Sequence, residues 1–215
     1  MIKETCITNE KEALNAVKKG AQRLEYCVDL SCGGIEPTNK EVIHLRKVVP
    51  GEIPIMVMIR PREGDFHYTK EEVQKMEAKI KELNHLPQVG FVFGCLTKEK
   101  TVDVSSCEKL LKAAGTCPCT FHMAFDEISV QNWAQSIQQI ANLGFKNLLT
   151  HGGPLTTPIT NTLSSLQKIQ SFLTSTSVQL LIGGGVTKEN LSFLATQFPN
   201  ADFHGTKIVG GLLDE

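Results

Sequence analysis

The chain has 215 residues, 41% of them hydrophobic and 21% charged, a mixture that fits one soluble globular domain spanning 1–215 and excludes a disordered chain. The formal net charge is −1 with lysines and arginines scattered, which excludes the massed basic surface of a nucleic-acid binder. No apolar run approaches the roughly 18 residues of a membrane span, and Met1–Glu4 has no apolar signal core, so the expected compartment is the cytoplasm, with no membrane partner.

Short β-rich runs alternate with amphipathic helical segments throughout. Strands are expected at Ile2–Cys6, Arg23–Cys27, Ile55–Ile59, Val89–Phe93, Cys119–His122, Asn147–Thr150, Val178–Ile182 and Asp202–Gly205. Between them, Lys70–Asn84 places Val73, Met76, Ile80 and Leu83 at helical spacing. Asn9 with Glu12, Thr38 with Glu41 and Thr69 with Glu72 mark three helix starts by reciprocal capping. Such alternation demands right-handed crossovers between parallel strands, and eight units close into a TIM-type (β/α)8 barrel; an open doubly wound sheet is the second choice, weakened by the lack of a GxGxxG turn. Only Thr206–Glu215 follow the last strand, and Gly210-Gly211 would interrupt a helix there, so the last helix is expected to be short or missing. The seam is then either open or covered by a second copy in a homo-oligomer.

In such barrels chemistry gathers where strands end. The first two strands end in Glu4-Thr5-Cys6 and Glu25-Tyr26-Cys27, with carboxylate and thiol on one face. Strands lie about 4.8 Å apart, so Cys6 and Cys27 can offer two thiolates to one soft ion, best Cu(I). The plainer alternative is that both are small core fillers. The seven cysteines have no disulfide or zinc spacing and should be reduced.

After the third strand, Arg60, Arg62 and Asp65 share a proline-stiffened loop, either clamping an anion or, for the arginine at the strand end, pairing internally with Glu25 or Glu4. His122, ending the fifth strand, and nearby Asp126 form a candidate acid-base unit, although a strand histidine can equally be a hydrogen-bonded core residue. Gly183, Gly184 and Gly185 before a helix, with His204 on the eighth strand, form a candidate anion cradle.

The Glu-x-Cys strand ends, Gly33-Gly34-Ile35-Glu36-Pro37-Thr38, Ile59-Arg60-Pro61-Arg62-Glu63-Gly64-Asp65-Phe66, Thr120-Phe121-His122 and Ala124-Phe125-Asp126 together resemble the CutC copper homeostasis family. Leu149-Thr150, Gly184-Gly185-Val186 with Glu189-Asn190-Leu191, and Phe203-His204 extend the resemblance along nearly the whole chain. It implies a TIM-type barrel, a cytoplasmic location and Cu(I) held by Cys6 and Cys27. Two positions depart from the family pattern: Met123 stands where arginine is usual and His151 where serine is common, so a mouth cation is lost and an imidazole gained. The rival function is an enzyme acting on a small anionic or phosphorylated substrate, with Arg60 and the glycines holding the anion and His122, Asp126 and Glu25 moving protons. An inert barrel, its mouth charges paired for stability alone, is the third class.

Overall fold

The computed structural model describes residues 1–212; positions 213–215, part of the segment expected to be too short for a helix, lie outside the described residues. Eight parallel strands form a closed barrel in sequence order: β1 (Lys3–Ile7), β2 (Arg23–Tyr26), β3 (Ile55–Met58), β4 (Val89–Phe93), β5 (Cys119–Phe121), β6 (Asn147–Thr150), β7 (Gln179–Ile182) and β8 (Asp202–Gly205). Seven helices link them: α1 (Glu10–Lys18), α2 (Asn39–Val48), α3 (Lys70–Leu83), α4 (Val104–Ala114), α5 (Trp133–Leu143), α6 (Leu163–Leu173) and α7 (Lys188–Gln197). The TIM-type expectation holds, including the missing helix after β8 among the described residues.

The strand period of two sorts side chains into two cores. Ile7, Leu24, Ile55, Val57, Phe91, Phe121, Leu148 and Phe203 join the helices' apolar faces in the large outer core. Cys6, Cys27, Met56, Met58 and Val92 form a separate cluster inside the barrel. Gly90 leaves room there: a Cβ would stand 2.6 Å from both Met56 Sδ and the Pro118 carbonyl oxygen.

Helix starts follow their capping residues. Thr38 and Thr69 each cap α2 and α3 in full reciprocal boxes, the Glu41 and Glu72 carboxylates each accepting the capping threonine's backbone N–H at 2.7 Å. At α1 the box is displaced: Asn9 Oδ1 accepts the Glu12 N–H at 3.0 Å, but Glu12 reaches past it to the Thr8 N–H at 2.7 Å.

The open seam is corrected. β8 pairs with β1 through Lys3↔Phe203, Glu4↔His204 and Thr5↔Gly205. Where an eighth helix would pack, residues 206–212 fold back instead. Ile208, Val209 and Leu212 are buried, Asn15 Nδ2 donates to the Leu212 carbonyl at 2.9 Å, and Lys188 N donates to the Lys207 carbonyl at 3.0 Å. Residues 206–212 of the chain itself thus cover the seam.

Candidate functional site

Register brings the two Glu-x-Cys ends together. Cys6 lies opposite Glu25 across the β1–β2 pair, so Cys27, two residues further on, is its diagonal inward neighbour. The Cys6 and Cys27 sulfurs are 3.3 Å apart in hydrogen-bond contact, both thiols buried. Ligand atoms of Cys6, Cys27 and Glu25 all lie within 4.8 Å of one another. The hydrogen bond to Cys27, then burial and the nearby Glu25 and Glu4 carboxylates, push the Cys6 thiol well above its ordinary pKa, so it is protonated until something replaces the proton.

Below the thiols lies a buried charge network. Glu4 pairs with Arg23 and receives His204 Nδ1 at 2.8 Å, while His204 Nε2 lies 3.9 Å from Glu25. Burial alone would raise the Glu4 pKa, but Arg23 and His204 together hold it below the ordinary value. Glu25 has no such direct partner: its Oε2 is unpaired, and burial, reinforced by Glu4 and only partly offset by His204, pushes its pKa up to about 7. For His204, burial opposes the charge, yet Glu25 and Glu4 overcome it and raise the pKa. His204 therefore bridges two carboxylates, while its ring also lines the cavity with Gly184 and Gly185. Arg23, absent from the sequence-derived site, was legible by parity, two residues before Glu25 on the same face.

Arg60 does not pair with Glu25 or Glu4. Its guanidinium donates to the carbonyls of Cys32 (3.0 Å), Gly34 (2.9 Å) and Gly64 (2.9 Å) and lies 5.0 Å over the Phe66 ring. No carboxylate among the described residues reaches it, and its Nε has no acceptor. The Tyr68 hydroxyl, near enough for the cation to hold back the burial-driven rise of its pKa, also lacks a partner in bonding geometry. Arg62 and Asp65 stand outside the cavity and neutralise one another at 3.0 Å, Arg62 also pairing with Glu72 at 2.6 Å.

His122 and Asp126 do not form a unit. His122 Nδ1 accepts the Ala124 N–H at 3.2 Å, which puts the ring proton on Nε2, a buried atom without a partner. Burial and the Arg60 cation press its pKa down to about 3, so it is a neutral donor at physiological pH. The short 3-10 turn Met123–Glu127 carries Asp126 away to the loop after β6, where it accepts Thr150 Oγ1 (2.5 Å) and the amides of His151, Gly152 and Gly153 at 3.0–3.2 Å. His151 is fully buried, its ring nitrogens facing the carbonyls of Gly183 (3.2 Å) and Thr157 (2.9 Å), so the gained imidazole does not reach the mouth.

The glycine run is divided. Gly183 spends its amide on the Thr150 carbonyl at 3.0 Å, whereas Gly184 and Gly185 line the cavity. A Cβ at Gly184 would meet Leu155 at 2.6 Å and His151 at 2.7 Å, and its φ of +77° suits glycine, so close packing explains this residue as well as anion binding does. Met123 packs its terminal methyl against Gly183 and Gly184.

Cys6, Cys27, Glu25, Arg60, His122 and His204 all face one cavity of about 380 Å³ at the C-terminal mouth. Its walls include Leu30, Met58, Phe66, Leu149 and Leu155. Leu30 opens the short 3-10 turn Leu30–Cys32 and Leu155 sits on the loop after β6, both outside the periodic strand and helix patterns, so nothing in the sequence marked them.

A model of the CutC family matches residues 1–209. A family protein CutC from Enterococcus faecalis is 36% identical over 97% of this chain and 100% of its own length. The human copper homeostasis protein cutC homolog is 32% identical over 94% of this chain and 71% of its own. A CutC crystal structure from Streptococcus agalactiae superposes with a TM-score of 0.91 at 31% identity, covering 97% of this chain and 99% of that one. With a family model over residues 1–209 and relatives more than 30% identical along nearly the whole chain, the chain belongs to the CutC family.

Proposed function

We propose that the protein serves copper homeostasis in the cytoplasm by holding Cu(I) between Cys6 and Cys27. The carrying observation is the 3.3 Å separation of the two buried sulfurs. With metal–sulfur bonds of about 2.3 Å, sulfurs at that spacing already subtend a bent angle of about 90°, and opening by about an ångström reaches a linear pair. Soft thiolates select Cu(I) over harder ions, and Met56, Met58 and Val92 keep the sulfur cluster apolar. Glu25 stands within reach as an oxygen donor. Binding must displace thiol protons, so affinity is expected to rise with pH. The names of the human and mouse relatives support the copper assignment.

The test is an anaerobic Cu(I) titration against a competing chelator, with unmodified protein, Cys6→Ser and Cys27→Ser at matched folded fraction. Stoichiometric binding lost in both variants is the expected result. Weak binding indifferent to either substitution refutes the site. Fractionation of cells expressing the protein checks the compartment; recovery in the membrane or secreted fraction refutes the cytoplasmic part.

A further inference from the structure

A Cu(I) ion needs neither a cavity of about 380 Å³ nor the cation in its wall. That volume falls at the small end of the range of about 300–1,000 Å³ typical of ligand pockets. Arg60 is only 5% exposed, and a buried guanidinium ordinarily has a carboxylate beside it. Here three carbonyls fix its orientation without cancelling its charge. Of the acids of the barrel interior, Glu4 is committed to Arg23 and His204, and Glu25, though it lines the same cavity, lies toward His204 at 3.9 Å and forms no ion pair with Arg60. His122, 4% exposed, stands in the same wall with an unpartnered Nε2. The Phe66 ring joins the two, 5.0 Å from the guanidinium and 4.8 Å from the imidazole. A fixed cation, a neutral donor and an aromatic wall thus meet at one side of a mainly apolar cavity.

We infer that this cavity binds a small organic monocarboxylate, its charged end against Arg60 and the His122 Nε2–H and its apolar body against Met58, Phe66 and Leu149. A carboxylate is the acceptor whose planar geometry an arginine matches. The single uncompensated positive charge selects a monoanion. A phosphate monoester would bring a second negative charge into a cavity whose wall already holds Glu25. This site shares no side chain with the two thiols, so it stands or falls independently of the copper reading.

The probes are butyrate, isovalerate and benzoate, each compared with its neutral amide and with inorganic phosphate, by calorimetry and ligand-observed NMR on the metal-free full chain. At least one carboxylate is expected to bind about tenfold tighter than its own amide, the order of one charge-assisted contact. Arg60→Met is expected to erase that preference, carboxylate and amide then binding alike, with Cu(I) affinity unchanged. Because Arg60 also ties down three carbonyls, His122→Phe supplies a second variant that keeps an aromatic ring but removes the donor. It should weaken the carboxylate and spare the amide. Equal binding of acid and amide by the unmodified protein, failure of every carboxylate to bind, unchanged affinity in a folded Arg60→Met, or phosphate binding tighter than any carboxylate would each overturn the inference.

Discussion

His122 provides the sharpest test of the site's electrostatics, through His122→Gln, which keeps a polar side chain but cannot titrate. The folded-state pKa of about 3 lies below the ordinary 6.5, so protonation is disfavoured in the folded protein. A base with a depressed folded pKa gives stability that is complete above the unfolded value and lost as pH falls from 6.5 toward 3. Between pH 7.5 and 5.0 the unfolded imidazole takes up its proton and the folded one does not, which amounts to about 2 kcal/mol. Urea unfolding at the two pH values should therefore show the unmodified protein losing about 2 kcal/mol more than His122→Gln. Imidazole nitrogen NMR of the folded protein should find the proton on Nε2 across this window. Equal pH sensitivity of the two proteins, or an imidazole titrating near 6, would refute the account and return His122 to the role of general base.

Three further outcomes follow from the packing. Asp126→Ala leaves the amides of His151 and Gly153 without their acceptor, while Gly152 keeps Thr150 Oγ1 at 2.9 Å, and should cost about 2–4 kcal/mol in urea unfolding; stability unchanged would mean that water serves those amides. Gly90→Ala drives a methyl to 2.6 Å from a backbone carbonyl, so destabilisation of about 1–3 kcal/mol is expected from the same assay, and a neutral effect would show that β4 yields freely. Glu4→Gln leaves Arg23 as a buried charge without its carboxylate and should cost about 3–5 kcal/mol, whereas a loss below about 1 would show water entering the barrel floor.

The barrel was legible because its signals are local. Every strand boundary read from the sequence falls within one residue of the observed one, since short runs such as Val89–Phe93 are buried on both faces and end at glycines or turns. Parity likewise put Glu4, Cys6, Glu25 and Cys27 on one face, and the register confirms their adjacency. Proximity along the chain was a poorer guide. His122 and Asp126 are four residues apart, yet the intervening 3-10 turn sends them to different neighbours. Arg60 and Arg62 look equivalent in sequence, but the first turns into the barrel mouth and the second toward Asp65 and Glu72 at the surface. The tail was misread for another reason: a segment too short for a helix can still cover a seam through irregular contacts such as Asn15 with Leu212.

The distribution of charge separates the two chemistries of the mouth. Glu4, Arg23 and His204 answer one another in the floor of the barrel, Glu25 edges the cavity 3.9 Å from His204, and above them stand two further kinds of group. The thiols of Cys6 and Cys27 are soft and bonded only to each other. Arg60 is hard, cationic and met only by carbonyls. A soft cation and an organic anion would therefore recruit different side chains from one cavity, and neither would have to break the floor network to enter. Cys6→Ser and Arg60→Met consequently report on separate events. If both abolished Cu(I) binding while the protein stayed folded, the cavity would have to be treated as one site, with the anion acting as part of the metal's own coordination.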